Sequence, residues 1–125
     1  MRRISIVIIL VMSVLFTFAQ TTVYNVMDFG AKGDGVMDDA VAIQKAIDAC
    51  SAAGGGQVFL PSGHIFLSGP IELKSDIDFH IDVNTTLKAH PNEAIYHLSA
   101  FKENRGEGMM WIYAKDADNI SITGK

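Results

Sequence analysis

The chain has a single cysteine, Cys50, so no disulfide can close within it. The residue falls on the apolar face of an expected helix, where a free thiol behaves as a small buried hydrophobe. Membrane-length apolar runs are also missing. Ile4 to Phe18 is shorter than the roughly 20 residues a bilayer crossing needs, and it holds Ser13 and Thr17. Basic charge is scarce, with 10 Lys and Arg against 14 Asp and Glu. That balance argues against nucleic acid or an anionic membrane as a partner. No G-x-S-x-G elbow is present to present a serine nucleophile. The glycines of GAKGDG (30–35) are not followed by the Lys and Ser/Thr of a phosphate loop and lack dinucleotide-fingerprint spacing. Asp34, Asp38 and Asp39 lack the alternating ligands and final Glu of a calcium loop. No metal site and no cofactor are therefore expected.

Arg2 and Arg3 precede the Ile4 to Phe18 run, and Thr17 and Ala19 supply small residues at signal-peptidase spacing. Residues 1–19 read as a signal peptide, which places the product outside the cytoplasm, secreted or periplasmic after cleavage near Ala19. No cysteine near the cut could carry a lipid, so no stable membrane anchor is expected. Loss of Arg2 and Arg3 takes the net charge from -4 to -6. A polyanionic substrate would then need a basic cleft supplied by other residues.

Val23 to Val26 reads as a first strand, followed by a glycine-rich turn segment from Asp28 to Asp39. Asp38 or Asp39 can cap the helix that follows. Ile43, Ala46, Ile47 and Cys50 recur at the spacing of one apolar helix face, which ends at Gly54, Gly55 and Gly56. The period then changes to two. Short strands are expected at Val58 and Leu60, at Ile65 and Leu67, at Ile71 and Leu73, and from Ile77 to Val83. A further strand pair is expected at Trp111–Ala114 and Ile120–Thr123. Ala89 to Gly108 reads as an excursion, partly helical around Glu93 to Phe101. A small sandwich or barrel and the start of a parallel solenoid both fit this order, and no exact repeat is visible.

The sharpest local cluster is Asp78, His80 and Asp82, which alternate onto one face of one strand. Neighbours there lie about 6.6 Å apart and the two carboxylates about 13 Å apart. An inverting glycosidase needs roughly 6.5 to 9.5 Å, so the pair reads as a solvated outer face. His64, His90 and His97 show no ligand spacing, and Asn84 and Asn119 begin glycosylation sequons that matter only in a glycosylating host.

DFGAKGDGVMDDAVAIQKAIDAC, GGGQVFLPSGHIFLSGPIELKS, TLKAH and IYAKDADNISITGK, in this order, resemble the N-terminal part of glycoside hydrolase family 28. These are the polygalacturonases and related pectin hydrolases of the pectate-lyase-like superfamily. The resemblance runs from about Tyr24 to Lys125 and implies an all-β fold, a right-handed parallel β-helix. It also implies that the helix from Asp38 to Ala53 caps the N-terminal end. Residues 20–125 are then the N-terminal part of a domain truncated at its C-terminus. The implied reaction is inverting hydrolysis of α-1,4-galacturonosyl linkages in pectic polysaccharide, of the polygalacturonate or rhamnogalacturonan type, by a protein that is monomeric at full length. The family's motifs read roughly Asn-Thr-Asp, Asp-Asp, Gly-His-Gly and Arg-Ile-Lys. None occurs here, and adjacent Asp38 and Asp39 belong to the capping segment. Catalytic residues are accordingly expected beyond Lys125, no substrate-binding residue is identified, and the 125 residues alone are expected to be inactive. Two alternatives remain: a non-catalytic carbohydrate-binding or tailspike-like β-helix, and a β-eliminating lyase of the pectate-lyase type.

Overall fold

A computed structural model describes residues 21–98 and 109–125. The expected signal peptide, and the last three residues (99–101) of the expected helix around Glu93 to Phe101, lie outside the described residues. Eleven short strands and one α-helix are described: β1 (Val23–Asn25), β2 (Asp34–Asp38), α1 (Ala40–Ala52), β3 (Gly56–Leu60), β4 (Ile65–Ser68), β5 (Ile71–Leu73), β6 (Ile77–Ile81), β7 (Thr86–Ala89), β8 (His97–Leu98), β9 (Met109–Met110), β10 (Ile112–Ala114) and β11 (Ser121–Gly124).

The strands pair parallel in three sheets: β1-β3-β6-β11 (sheet A), β2-β4-β7 (sheet B) and β10-β5 (sheet C). Among the described strands only β8 and β9 pair antiparallel. The chain visits A, B and C in turn and then returns to A, so each circuit is one coil of a right-handed parallel β-helix. In sheet A the registers align Val23, Gln57, Asp78 and Ser121 in one column and Tyr24, Val58, Phe79 and Ile122 in the next. Alternation along each strand then sends one column outward and the next inward. Val58 and Phe79 are fully buried, and with Leu60, Phe66, Ile71 and Ile77 they form the interior.

The sequence reading places most strands correctly and misassigns five features. Asp34–Asp38 is a strand inside the expected turn segment: Gly33 and Gly35 adopt positive φ, but β2 still pairs with β4 across an irregular register. Thr86–Ala89 is a strand although Leu87 is its only large apolar residue, because β4 beside it supplies a ready edge. Trp111–Ala114 and Ile120–Thr123 do not form a pair: β10 joins β5 and β11 joins β6, as parallel coils require. The expected helix near Glu93 is a 3-10 turn, Glu93–Ile95, after which His97–Leu98 is extended. The strand expected to Val83 stops at Ile81, and Val83 is 52% exposed.

Helix α1 buries Ala42, Ile43, Ala46, Ile47 and Cys50 against β1, β3 and β5. Burial pushes the Cys50 thiol up, so it stays protonated and inert in the interior. Asp38 bonds the first helix amide, Ala40 N, at 2.9 Å. Asp39 points away from the helix and accepts from Lys32 N and Gly33 N at 2.8 and 3.0 Å. At 2% exposure this carboxylate is held by backbone amides of the preceding loop. Gln44 makes the most specific contact of α1. Its amide donates to Glu72 O at 3.1 Å and accepts from Glu72 N at 2.8 Å. One side chain thus satisfies the free edge of β5 where a neighbouring strand would otherwise be required. After the helix, Gly55 turns with φ 109, and a Cβ there would collide with the Asp76 carbonyl of the next coil.

Replacing Gln44 by Ala should lower unfolding stability by about 1–2 kcal/mol, because both Glu72 backbone groups lose a partner. Ile47→Ala, which opens a cavity, should cost about 2–5 kcal/mol. Urea unfolding of the two variants measures both values, and equal losses would contradict this division between edge closure and core packing.

Candidate functional site

The outward columns of sheet A carry the cluster singled out in the sequence. Asp78 receives Gln57 Nε2 on one oxygen at 3.0 Å, and Ser121 Oγ and Thr123 Oγ1 on the other at 3.0 and 2.8 Å. Burial alone would push this carboxyl up, but the bonds from Gln57, Thr123 and Ser121 and the nearby His80 hold it below the ordinary carboxylate value. Thr123 spends its one hydroxyl proton on Asp78. The 2.7 Å contact from His80 Nδ1 to Thr123 Oγ1 therefore requires Nδ1 to be the donor. His80 also stacks on Phe59, with ring centroids 5.9 Å apart, and its Nε2 lies 3.7 Å from Asp82. Three successive coils are joined by this network. As the alternation predicts, the cluster is on an outer face, but its groups are bonded to one another and not simply solvated.

The turns beside sheet A repeat the pattern. Asn119 donates to Asp76 at 2.8 Å, and Ser75 pairs with Asp118 at 3.1 and 3.3 Å. Asp76 and Asn119 both adopt left-handed conformations. An open groove of about 500 Å³ runs past Thr22, Gly55, Asp76, Asp78, Asn119 and Ser121. Its two carboxylates already accept hydrogen bonds from neighbouring coils.

The remaining ionisable candidates are dispersed. Asp34 folds back on Val36 N and Met37 N, which lower its carboxyl below the ordinary value, and Asp38 ties Gly69 N to the helix start. His64 packs on Phe66 in sheet B, and His90 bonds Asn92 N. The side chain of His97 lies outside the described residues. Asn84 is exposed in a turn, whereas the Asn119 amide is engaged with Asp76. Among the described residues no group of three or more His, Cys, Asp or Glu converges as a metal site. No helix among them is long and apolar enough to cross a membrane. Sequence reasoning missed the lateral bonds because partners stand 21 or 43 residues apart. Equal column position between Gln57, Asp78 and Ser121 was the available signal, and it appears only once the registers are known.

Comparison with known proteins supplies a family. The rhamnogalacturonase A/epimerase, pectate-lyase-like family model matches residues 23–119. A mannuronan C5-epimerase of Azotobacter vinelandii, AlgE1, is 67% identical over 46 residues, 37% of this chain and 3% of that protein. An exo-poly-alpha-D-galacturonosidase of Dickeya chrysanthemi is 41% identical over 80 residues, 64% of this chain and 13% of that protein. The family 28 exopolygalacturonase structure of Yersinia enterocolitica superposes with a TM-score of 0.72 at 32% identity, over 86% of this chain and 20% of that chain. The resemblance to family 28 within the pectate-lyase-like superfamily therefore stands, and the chain spans a small part of these relatives' length.

Because the folded-state value of Asp78 lies below the unfolded value of about 3.9, its stabilisation is present above that pH and is lost as pH falls through the folded value. Thermal unfolding of the native chain should therefore fall more steeply below about pH 4 than that of Asp78→Asn. Parallel curves for the two proteins would show that the carboxylate charge contributes nothing to the column.

Proposed function

The chain belongs to the rhamnogalacturonase A/epimerase, pectate-lyase-like family, and from that premise we propose that it is the N-terminal portion of a secreted, polygalacturonase-like glycoside hydrolase acting on pectic polysaccharide. Residues 1–19 serve as the secretory signal and residues 20–125 as the first coils of a longer β-helix, whose N-terminal end α1 closes. The observation that carries this reading is the 86% of the chain that superposes on a family 28 exopolygalacturonase, together with 41% identity to an exo-poly-alpha-D-galacturonosidase.

The reaction requires one protonated carboxyl to supply the leaving oxygen and one carboxylate to activate water on the opposite face of the sugar. The paired aspartates of this segment are occupied otherwise: Asp39 holds the 32–33 loop, and Asp38 holds Ala40 and Gly69. Asp78 is bound by three donors, and it shares one strand with Asp82. The coils described here accordingly serve as scaffold and substrate-facing surface, and the acid and base come from the family motifs that this sequence lacks. A second reading, epimerisation of mannuronan, draws on the 67% identity to AlgE1 over 46 residues. Both readings concern polymers of uronic acids.

Incubation of the full-length gene product with polygalacturonate should release reducing galacturonate whose new anomeric centre is inverted, followed by proton NMR. Unsaturated products would overturn hydrolysis in favour of elimination. Conversion of mannuronan to guluronate without cleavage of polygalacturonate would transfer the assignment to the epimerase reading. Binding without turnover would leave a carbohydrate-binding module and overturn the enzymatic assignment.

A further inference from the structure

Sheet C turns a distinct strip of side chains outward. Ile71 and Leu73 are buried and Ile112 packs on the core, so the alternate, register-paired Glu72 and Tyr113 face away from it. Trp111, the only tryptophan, precedes Tyr113 by two residues in the bend that leads into β10, where its carbonyl accepts from Ile71 N at 2.8 Å. Its indole Nε1–H donates to the Ser68 carbonyl at 3.0 Å, which fixes the ring over the turn between β4 and β5. Both aromatic residues are half-buried, with surface left uncovered. Two residues beyond Tyr113 and Glu72 stand Lys115, which is exposed, and Lys74, which pairs with Asp48 at 2.8 Å. Trp111 just before β10, Tyr113 within it and Lys115 just after it therefore give the order aromatic, aromatic, cation at every second residue.

These chemistries match one ligand class. A uronate ring has an apolar C–H face suited to an aromatic side chain and a carboxylate suited to an ammonium group. We infer that Trp111, Tyr113 and Lys115 form a uronate-binding strip on the outer face of sheet C, the rings stacking on pyranose faces and the lysine receiving a carboxylate. This rests on the polyuronide reading above and names the surface it uses. Glu72 imposes a direction. Its negative charge repels a uronate carboxylate at the Tyr113 position, so the sugar there presents hydroxyls to Glu72 and the carboxylate falls at the lysine position. Gln44 supports the strip from beneath, because it locks the Glu72 backbone on the side where β5 has no partner strand.

Hydroxyl-radical footprinting of the full-length gene product, with and without oligogalacturonate or oligomannuronate, tests the strip residue by residue. Protection of Trp111 and Tyr113, with Tyr24 on the inward column unchanged, is the expected result. Tyr113→Ala should weaken oligosaccharide binding by about tenfold. Lys115→Gln should weaken uronate binding and reduce its salt dependence. Protection by oligomannuronate alone would support the strip and overturn the galacturonan assignment. Saccharide protection elsewhere, with both rings unchanged, would overturn the strip and leave that assignment intact. Absence of protection by either saccharide would overturn both.

Discussion

Lateral registration of one coil on the next is the constraint on which the rest of this structure depends. In a solenoid each coil touches only its neighbours, so there is no distant packing to correct a slipped strand. The inward column of Val58 and Phe79 supplies the larger free energy, about 1.5–3 kcal/mol for each fully buried side chain. That column specifies register poorly, since any apolar residue at alternate positions would fill it. A two-residue slip keeps apolar groups inward, but it separates Gln57 from Asp78 and Asp78 from Ser121. Each of those bonds contributes only about 0.5–1.5 kcal/mol. Burial thus stabilises the stack, and the outer polar column aligns it.

The same constraint explains how helix α1 is used. A β-helix leaves strand edges at its first coil, and an unpaired edge invites pairing with other chains. Sheet C begins at β5, one coil later than sheets A and B, because α1 occupies the earlier position. Gln44 reproduces with a side-chain amide the hydrogen bonds of the missing strand, and Ile43 and Ile47 bury beneath it. Sequence, edge closure and core formation therefore meet in one amphipathic helix.

Much of this was legible in the chain itself. The apolar face of α1, the buried Cys50 and the strands from β3 to β6 follow from periodicity alone, and the family motifs gave the β-helix. The repeat stayed hidden because successive coils differ in length: Val23, Gln57, Asp78 and Ser121 occupy one column at spacings of 34, 21 and 43 residues. The first interval contains α1 and the last contains the 99–108 segment, so only the middle coil has its bare length. Thr86–Ala89 escaped recognition because an edge offered by β4 outweighs weak intrinsic preference. Asp39 resembled a helix cap, yet the nearer unsatisfied amides belong to Lys32 and Gly33. Tertiary context decided each of these cases. For the candidate surface, composition revealed the aromatics and lysines, but only the pairing of β10 with β5 sets Tyr113 beside Glu72.

Spin labels at residues 57 and 121 test the coil registration directly. The account places these positions two strands apart in sheet A, about 10 Å between backbones, although 64 residues separate them in sequence. Strong dipolar broadening in the folded protein, lost on denaturation, is the predicted result. Labels lying beyond about 20 Å, four strand spacings or more, would contradict the parallel stack and every surface assignment built on it.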